Sequence, residues 1–369
     1  AEAAAPAAAA RPGADPAADE CAPAGLRQRA AQVLVVGLPH VTSAIDPLAQ
    51  EVLDLGVGGV FLSDSNVVDT LQVQSLTAGL QESSAIPLLV TSDEEAGRVS
   101  TFRALIGATS APRTLAANGA PSDVRTVALE LGGRLAELGV NADLAPVADL
   151  DGGPWNGVIG DRSFSSDPLV AADYAEAFAA GLSDAGVMPV VKHFPGHGRS
   201  AEDVHRRAAR VDAPLEDLLA TDLLPFIALI DAGAPIVMMS HVRYDALQAD
   251  RPASLSPTAY RLLRDLGFYG VAMTDSIGMG AVHRRWDFPR AAVMALHAGA
   301  DAVLATDGRQ AAAMRDAIVA AVKRGRLDEA RLDEAVARML AVKGIDSAGF
   351  ACAVVEPVPV MVQTDRDGD

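Results

Sequence analysis

Eight short apolar segments, each followed by a longer amphipathic stretch, set the architecture that this chain of 369 residues can adopt. The segments are rich in β-branched residues and too short for typical helices, so each predicts a buried strand. Strands that alternate with helices are typical of a parallel sheet covered by helices. The predicted strands are Val33–Leu38, Gly59–Leu62, Pro87–Thr91, Ala142–Val147, Val187–Lys192, Ile236–Ser240, Val271–Thr274 and Ala302–Ala305.

The amphipathic stretches between these strands predict helices, and a further helix follows the last strand. Eight such repeats favour an α/β fold of the (β/α)8 TIM-barrel type, with one catalytic domain over residues 25–346. An open doubly wound sheet is the alternative, but no Gly-rich dinucleotide motif follows the first strand. The predicted helices include Ser122–Leu138, Leu169–Ala185, Leu215–Ala232, Pro257–Leu266, Gln310–Arg324 and the final Leu327–Val342.

Polar residues concentrate where the predicted strands end, and this is the face on which barrel enzymes carry their active sites. We interpret Asp64, Asp149 and Asp307 as helix caps or turn residues, because aspartate is common at both. We interpret four others as functional, and His241 lies at the corresponding end of the sixth strand. The four are Asp93, Lys192, His193 and Asp275.

The segment 191–205, VKHFPGHGRSAEDVH, contains three of the chain's seven histidines and a lysine. A strand runs into Lys192 and His193, a Pro-Gly turn and His197 follow, and the segment ends at Asp203 and His205. An imidazole oriented by a carboxylate is a tunable proton carrier near neutral pH. The segment therefore predicts a catalytic loop, although Asp203 and His205 could instead form a solvated surface pair.

The string KHFPGHG followed by Asp-x-His resembles the signature of family 3 glycoside hydrolases of the single-domain β-N-acetylhexosaminidase type. LLVTSDEEAGRV at 88–99 is similar to the family's Asp-Gln-Glu-Gly-Gly-Arg-Val block. Further similar blocks are NADLAPVADL at 141–150, VIGDRSFSSDP at 158–168 and LLRDLGFYGVAMTDSIGMGAV at 262–282. The resemblance runs in order from about Leu34 to Gly344 and implies a (β/α)8 barrel.

The resemblance also assigns roles to individual residues. It implies that Asp275 is the nucleophile of a retaining mechanism, which needs a carboxylate and a proton donor. It makes His205 the general acid/base, with Asp203 holding its ring in the manner of the aspartate in a catalytic triad. It implies that four residues bind the sugar: Asp93, Arg162, Lys192 and His193.

Two positions near these residues leave questions open. The family's second arginine, about eight residues after Asp93, is replaced here by Thr101, so Arg98 or Arg103 substitutes for it or binding differs. His197 either positions the loop or caps the glycine turn.

The implied activity is that of an exo-acting β-N-acetylglucosaminidase, which releases N-acetylglucosamine from peptidoglycan-derived fragments or related β-linked glycans. Carbohydrate is thus the expected partner, and we predict no cofactor and no metal. The net charge of −18 argues against nucleic acid and anionic membrane surfaces as partners. No apolar run approaches the roughly 20 residues that span a bilayer.

Three other functions fit parts of the pattern. His193, His197, Asp203 and His205 could surround zinc in a metal-dependent hydrolase, although they come from one strand and its loop. A non-catalytic cell-wall-binding protein could use the same scaffold, but the residues implied for catalysis are intact. Phosphorolysis is the third, since a neutral histidine repels phosphate less than a carboxylate does; added phosphate would distinguish it from hydrolysis.

The chain ends suggest an extracytoplasmic protein. Residues 1–24 are rich in Ala and Pro and predict a disordered leader, and residues 347–369 predict a loose tail. The first residue is not methionine, which suggests a processed start, a secreted or cell-surface location, and anchoring through a missing segment. The two cysteines, Cys21 and Cys352, either form a disulfide that joins the ends or remain free thiols, which mass spectrometry of non-reduced peptides would decide.

Overall fold

The structure is a computed structural model that describes residues 24–200, 202–204, 208–348 and 350–351. Within these residues, eight parallel strands form one sheet, and their order in space follows their order along the chain. A bridge between Met273 and Ala302 joins the seventh strand to the eighth and closes the barrel. The predicted (β/α)8 fold is therefore confirmed. The strands are Leu34–Gly37, Gly59–Leu62, Leu89–Ser92, Ala142–Asp143, Met188–Phe194, Ile236–Met239, Val271–Thr274 and Val303–Ala305.

Helices surround the barrel, and several begin with a capping side chain followed by proline. Asp46, Asp167, Ser256 and Asp287 each accept a backbone N–H of the first turn. Proline fits the first turn because its missing N–H would have no partner there. The longer helices are Leu26–Gln32, Pro47–Leu55, Thr70–Ser83, Pro112–Asn118, Pro121–Glu137, Pro168–Asp184, Leu224–Asp231, Pro257–Asp265, Phe288–Ala298, Ala311–Lys323 and Glu329–Ala341.

The prediction of one continuous helix over Leu215–Ala232 is wrong. Two helices, Leu215–Ala220 and Leu224–Asp231, occupy this stretch. Pro225 lies in the first turn of the second helix, and in the interior of a longer helix it would remove a hydrogen bond and clash with the preceding turn.

The barrel strands have one face in the barrel interior and one face against the helices. Val190 and Met273 belong to the interior cluster, whereas Val191 and Ala272 pack in the outer layer. Because side chains of a strand alternate between its faces, the residues two positions beyond Val190 and Met273 continue the inward face. Those residues are Lys192 and Asp275, and both line the cavity at the barrel mouth.

The two ends of the described chain meet on the barrel. The N–H of Ala24 donates to the carbonyl of Phe350 over 3.1 Å. Arg29, which is buried, pairs with Asp333 and Glu329 of the last helix. Cys21 and Cys352 lie outside the described residues, as do most of the predicted leader and tail, so the disulfide remains a prediction. Among the helices that the structure describes, none is long and apolar enough to cross a membrane.

Candidate active site

A cavity of about 180 Å³ opens at the carboxyl ends of the barrel strands. This volume is far larger than a single water molecule needs. Its apolar wall includes Phe61, Leu144, Met238 and Leu304 from the barrel interior. Its polar wall contains five residues that the sequence marked as functional: Asp93, Arg162, Lys192, His193 and Asp275.

A network of charged groups forms one side of the cavity. Lys192 Nζ lies 2.6 Å from Asp93 Oδ1 and 2.5 Å from Glu95 Oε1. Arg162 meets Glu95 in a bidentate pair of 2.6 and 2.7 Å. An ammonium group has three N–H donors, so Lys192 retains one after pairing with both carboxylates.

The charges in this network stabilise one another. Burial alone would raise the pKa of Glu95, but the guanidinium of Arg162 and the ammonium of Lys192 outweigh burial and hold that pKa below its usual range. Asp93 and Glu95 raise the pKa of Lys192, and Glu95 raises the pKa of Arg162, in each case against the effect of burial. All three groups are therefore ionised at neutral pH, which fixes the wall of the cavity.

Glu95 is the residue of this network that the sequence interpretation missed. It is almost fully buried and contacts side chains that follow it by 67 and 97 residues. The sequence did contain one indication that Glu95 belongs to the site: it lies two residues after Asp93, and alternating residues of an extended segment share one side. Glu94, which lies between Asp93 and Glu95, accepts the backbone N–H of Phe102 with its carboxylate. The backbone N–H of Glu94 donates to the carboxylate of the buried Asp143.

His193 is oriented by Asp149. His193 Nδ1 lies 2.6 Å from Asp149 Oδ2, and Asp149 Oδ1 accepts the backbone N–H groups of His193 and His197. Burial would raise the pKa of Asp149, but His193 and His197 outweigh this and lower it. Because an ionised carboxylate only accepts, Nδ1 carries the proton and Nε2 remains to contact a ligand.

The interpretation of Asp149 as a helix cap or turn residue is therefore wrong. No described helix begins at Asp149, and its side chain is fully buried, where it contacts His193 and the backbone of His197. The same interpretation holds for the other two aspartates. Asp64 begins a short 3₁₀ helix, and Asp307 caps another by accepting the N–H of Arg309.

Asp275 lies just beyond the seventh strand and is 6% exposed. Its Oδ1 accepts the N–H of Ser276 over 2.7 Å, and within the described residues no partner is found for Oδ2. Burial would raise the pKa of Asp275, but His241, His193 and the Ser276 N–H outweigh it and lower that pKa. The result is an ionised carboxylate with one oxygen available to a ligand.

His241 supports Asp275 from behind the cavity. It is fully buried, with Nδ1 2.6 Å from Ser254 Oγ and Nε2 2.8 Å from the carbonyl of Ser276. A carbonyl only accepts, so Nε2 carries a proton. The ring thus holds the residue whose N–H contacts the Asp275 carboxylate.

The loop that carries the predicted acid/base reaches the same cavity. Val204 lines the cavity, and its carbonyl accepts the N–H of Ala281 over 3.0 Å. Asp203 is partly buried in this loop. His205 lies outside the described residues, and its pairing with Asp203 remains a prediction.

Neither arginine proposed to substitute at position 101 lies in the cavity wall. Arg98 pairs with Asp161 and donates to the carbonyls of Gly157 and Ile159. Arg103 donates to the carbonyl of Gly97. These arginines secure the loops beside the cavity, and Arg162 supplies the guanidinium within it.

The zinc alternative includes His205, which lies outside the described residues, so the structure does not test it. Among the residues that are described, no group of three His, Cys, Asp or Glu side chains is arranged to hold a metal ion.

Glu95→Gln is expected to destabilise the protein by about 3–5 kcal/mol, because it leaves two buried cations without their shared counter-charge. The pKa of Glu95 is lowered on folding, so the pairing contributes stability above the ordinary glutamate pKa of about 4.3 and loses it as pH falls toward the lowered value. Urea unfolding at neutral pH measures the difference in the free energy of unfolding between the variant and the parent. This difference should become smaller at acidic pH. Glu82→Gln, on an exposed helix position, is the control and should change stability by less than about 0.5 kcal/mol. A Glu95→Gln variant as stable as this control would contradict the assignment.

Comparison with known proteins places the chain among carbohydrate-active enzymes. The model of the glycosyl hydrolase family 3 N-terminal domain matches residues 26–342. The β-hexosaminidase LpqI of Mycobacterium tuberculosis is 38% identical over 91% of this chain and 89% of its own length. A β-hexosaminidase of Xanthomonas campestris is 38% identical over 67% of this chain and 76% of its own length.

Solved structures agree with this comparison. A glycosyl hydrolase of the same family from Mycobacterium smegmatis is 40% identical and superimposes with a TM-score of 0.82, covering 87% of this chain and 98% of that one. A family 3 β-N-acetylglucosaminidase from Paenibacillus is 34% identical with a TM-score of 0.83, covering 93% of this chain and 66% of that one.

Proposed function

Because this chain belongs to glycosyl hydrolase family 3, we propose that it is an exo-acting, retaining β-N-acetylglucosaminidase. Its substrates are peptidoglycan-derived fragments or related β-linked glycans that end in N-acetylglucosamine. It acts in an extracytoplasmic compartment, either secreted or at the cell surface.

One observation carries the proposal: an ionised, buried carboxylate, Asp275, shares a cavity with a fixed set of sugar-binding groups. A retaining glycosidase needs a carboxylate that is already ionised when the sugar arrives, since it both attacks the anomeric carbon and stabilises the positive charge that develops there. The lowered pKa of Asp275 meets this need at neutral pH.

The proposed reaction has two steps. In the first, Asp275 Oδ2 attacks the anomeric carbon, the bond to the leaving oxygen breaks, and His205 donates a proton to that oxygen. In the second, His205 takes a proton from water, whose oxygen displaces Asp275 and releases the sugar. Asp203 stabilises the imidazolium form of His205, which is present before the first step and again after the second.

The binding groups suit an uncharged sugar with an N-acetyl group. Asp93 and His193 Nε2 accept hydrogen bonds from sugar hydroxyls, while Lys192 and Arg162 donate to hydroxyl or acetyl oxygens. Ionised donors and acceptors make stronger hydrogen bonds than neutral ones. Because the network is paired before substrate arrives, little reorganisation is needed on binding.

The substrate class is tested with chromogenic 4-nitrophenyl glycosides. We expect kcat/KM for the β-N-acetylglucosaminide to exceed that for the β-glucoside, and kcat to be independent of added phosphate. A preference for the glucoside would contradict the specificity. A rate that rises in proportion to phosphate, with sugar 1-phosphate as product, would replace hydrolysis by phosphorolysis.

A further inference from the structure

His197 has buried ring nitrogens that the protein itself leaves without partners. The side chain is 2% exposed and lines the cavity. Neither Nδ1 nor Nε2 makes a hydrogen bond to any residue that the structure describes. A neutral imidazole has one N–H donor and one acceptor, and leaving both unpaired in a buried place lowers stability.

The two structural roles considered for His197 do not require an imidazole. The contact that secures the loop here is its backbone N–H, which donates to Asp149 Oδ1 over 2.6 Å and which any residue except proline could provide. The turn is held by Tyr244, whose hydroxyl donates to the carbonyl of Gly196. It is also held by close packing, since a Cβ on Gly198 would lie 1.6 Å from the carbonyl oxygen of Leu150.

The chemistry of the ring limits what can satisfy it. Burial lowers the pKa of His197 to about 4, so the ring is neutral at physiological pH. The His193 ring lies beside it, with centroids 5.9 Å apart, so the two histidines form one edge of the cavity. A neutral donor–acceptor pair matches a group that also donates and accepts, and a hydroxyl is such a group.

We propose that His197 is a substrate-binding residue that exchanges hydrogen bonds with a hydroxyl of the sugar held over Asp275. The inference rests on the proposed function and adds a specificity contact to it. The unpaired nitrogens slightly destabilise the protein without substrate, and they gain hydrogen-bond partners when substrate fills the cavity. Residues retained for function commonly lower stability in this way.

The experiment replaces His197 with phenylalanine, which keeps the ring shape and removes both nitrogens. We expect His197→Phe to unfold at the same or a higher urea concentration than the parent, because no satisfied bond is lost. We expect kcat/KM for 4-nitrophenyl β-N-acetylglucosaminide to fall roughly 10- to 100-fold, since a sugar hydroxyl is left buried without a partner. His197→Asn, which keeps a donor and an acceptor, should recover part of the loss.

Deoxy substrates identify the hydroxyl. With analogues that lack one hydroxyl at a time, the loss of activity caused by His197→Phe should be much smaller for the one analogue that lacks the hydroxyl bound by His197 than for the others. His297→Phe, on the outer helix Phe288–Ala298, is the matched control and should keep parent kinetics.

Two results would overturn the inference. One is that His197→Phe has the kinetics of the parent. The other is that it has a lower unfolding midpoint and a loss of activity that is equal for every deoxy analogue, which would make the residue structural.

Calorimetric binding of N-acetylglucosamine distinguishes failure of this inference from failure of the proposed function. Weaker binding by His197→Phe supports the contact even if the parent does not hydrolyse the glycoside, and no binding by the parent contradicts both.

Discussion

Asp275→Asn is expected to lower kcat for 4-nitrophenyl β-N-acetylglucosaminide by about 10⁴-fold or more, the scale seen when other enzymes lose a covalent nucleophile. The amide has nearly the same shape, so packing beyond the seventh strand is retained. It cannot attack the anomeric carbon as a carboxylate does, and it carries no negative charge to stabilise the developing cation. The change should therefore appear in kcat rather than in substrate affinity.

Asp307→Asn provides the control at the end of the neighbouring strand. Asp307 caps a 3₁₀ helix and pairs with Arg309, outside the cavity wall. Its replacement should leave kcat within about twofold of the parent, since surface changes away from the site have small effects. An Asp275→Asn variant that keeps most of the parent's turnover would remove Asp275 from the chemistry.

His205→Ala is expected to slow substrates with poor leaving groups far more than substrates with activated ones. An alkyl or sugar leaving group needs a proton as its bond to the anomeric carbon breaks, whereas 4-nitrophenolate hardly needs one. General acid catalysis is typically worth about 10²–10⁴-fold, so the glycosylation rate of a disaccharide should fall by that factor. Pre-steady-state rates with both substrates measure the contrast.

His297→Ala, at an exposed position on an outer helix, is the control for this change. It should not alter the ratio of rates between the two substrates. Equal losses on both substrates in His205→Ala would mean that His205 does not protonate the leaving group, and the acid/base role would pass to another residue of the loop.

The strands were predictable because their apolar pattern reflects a single physical requirement, burial of both faces of each strand. Segments such as Val271–Thr274 must be apolar on both faces, with Met273 in the barrel interior and Ala272 against the helices. Lys192 and Asp275 were identified for the complementary reason that ionisable groups at the carboxyl ends of buried strands are costly without a function. Local sequence was sufficient for these assignments.

The remaining site residues depend on contacts between distant parts of the chain. Glu95 becomes important only when Lys192 and Arg162 meet it, and Asp149 only when His193, 44 residues later, reaches it. An aspartate after a strand is usually a cap or a turn residue, so its local sequence gave no signal of this role. The unpaired nitrogens of His197 likewise depend on how the loop packs, which no spacing in the sequence reveals.

The most direct test of the account is to trap the covalent intermediate. A 5-fluoro analogue of N-acetylglucosaminyl fluoride slows both steps, while its good leaving group keeps the first step faster than the second. Intact-mass and peptide spectrometry should then find one glycosyl unit on the peptide that contains Asp275, and the adduct should disappear in Asp275→Asn. An active enzyme that forms no adduct, or carries the adduct on another residue, would contradict the claim that Asp275 is the nucleophile of a retaining glycosidase.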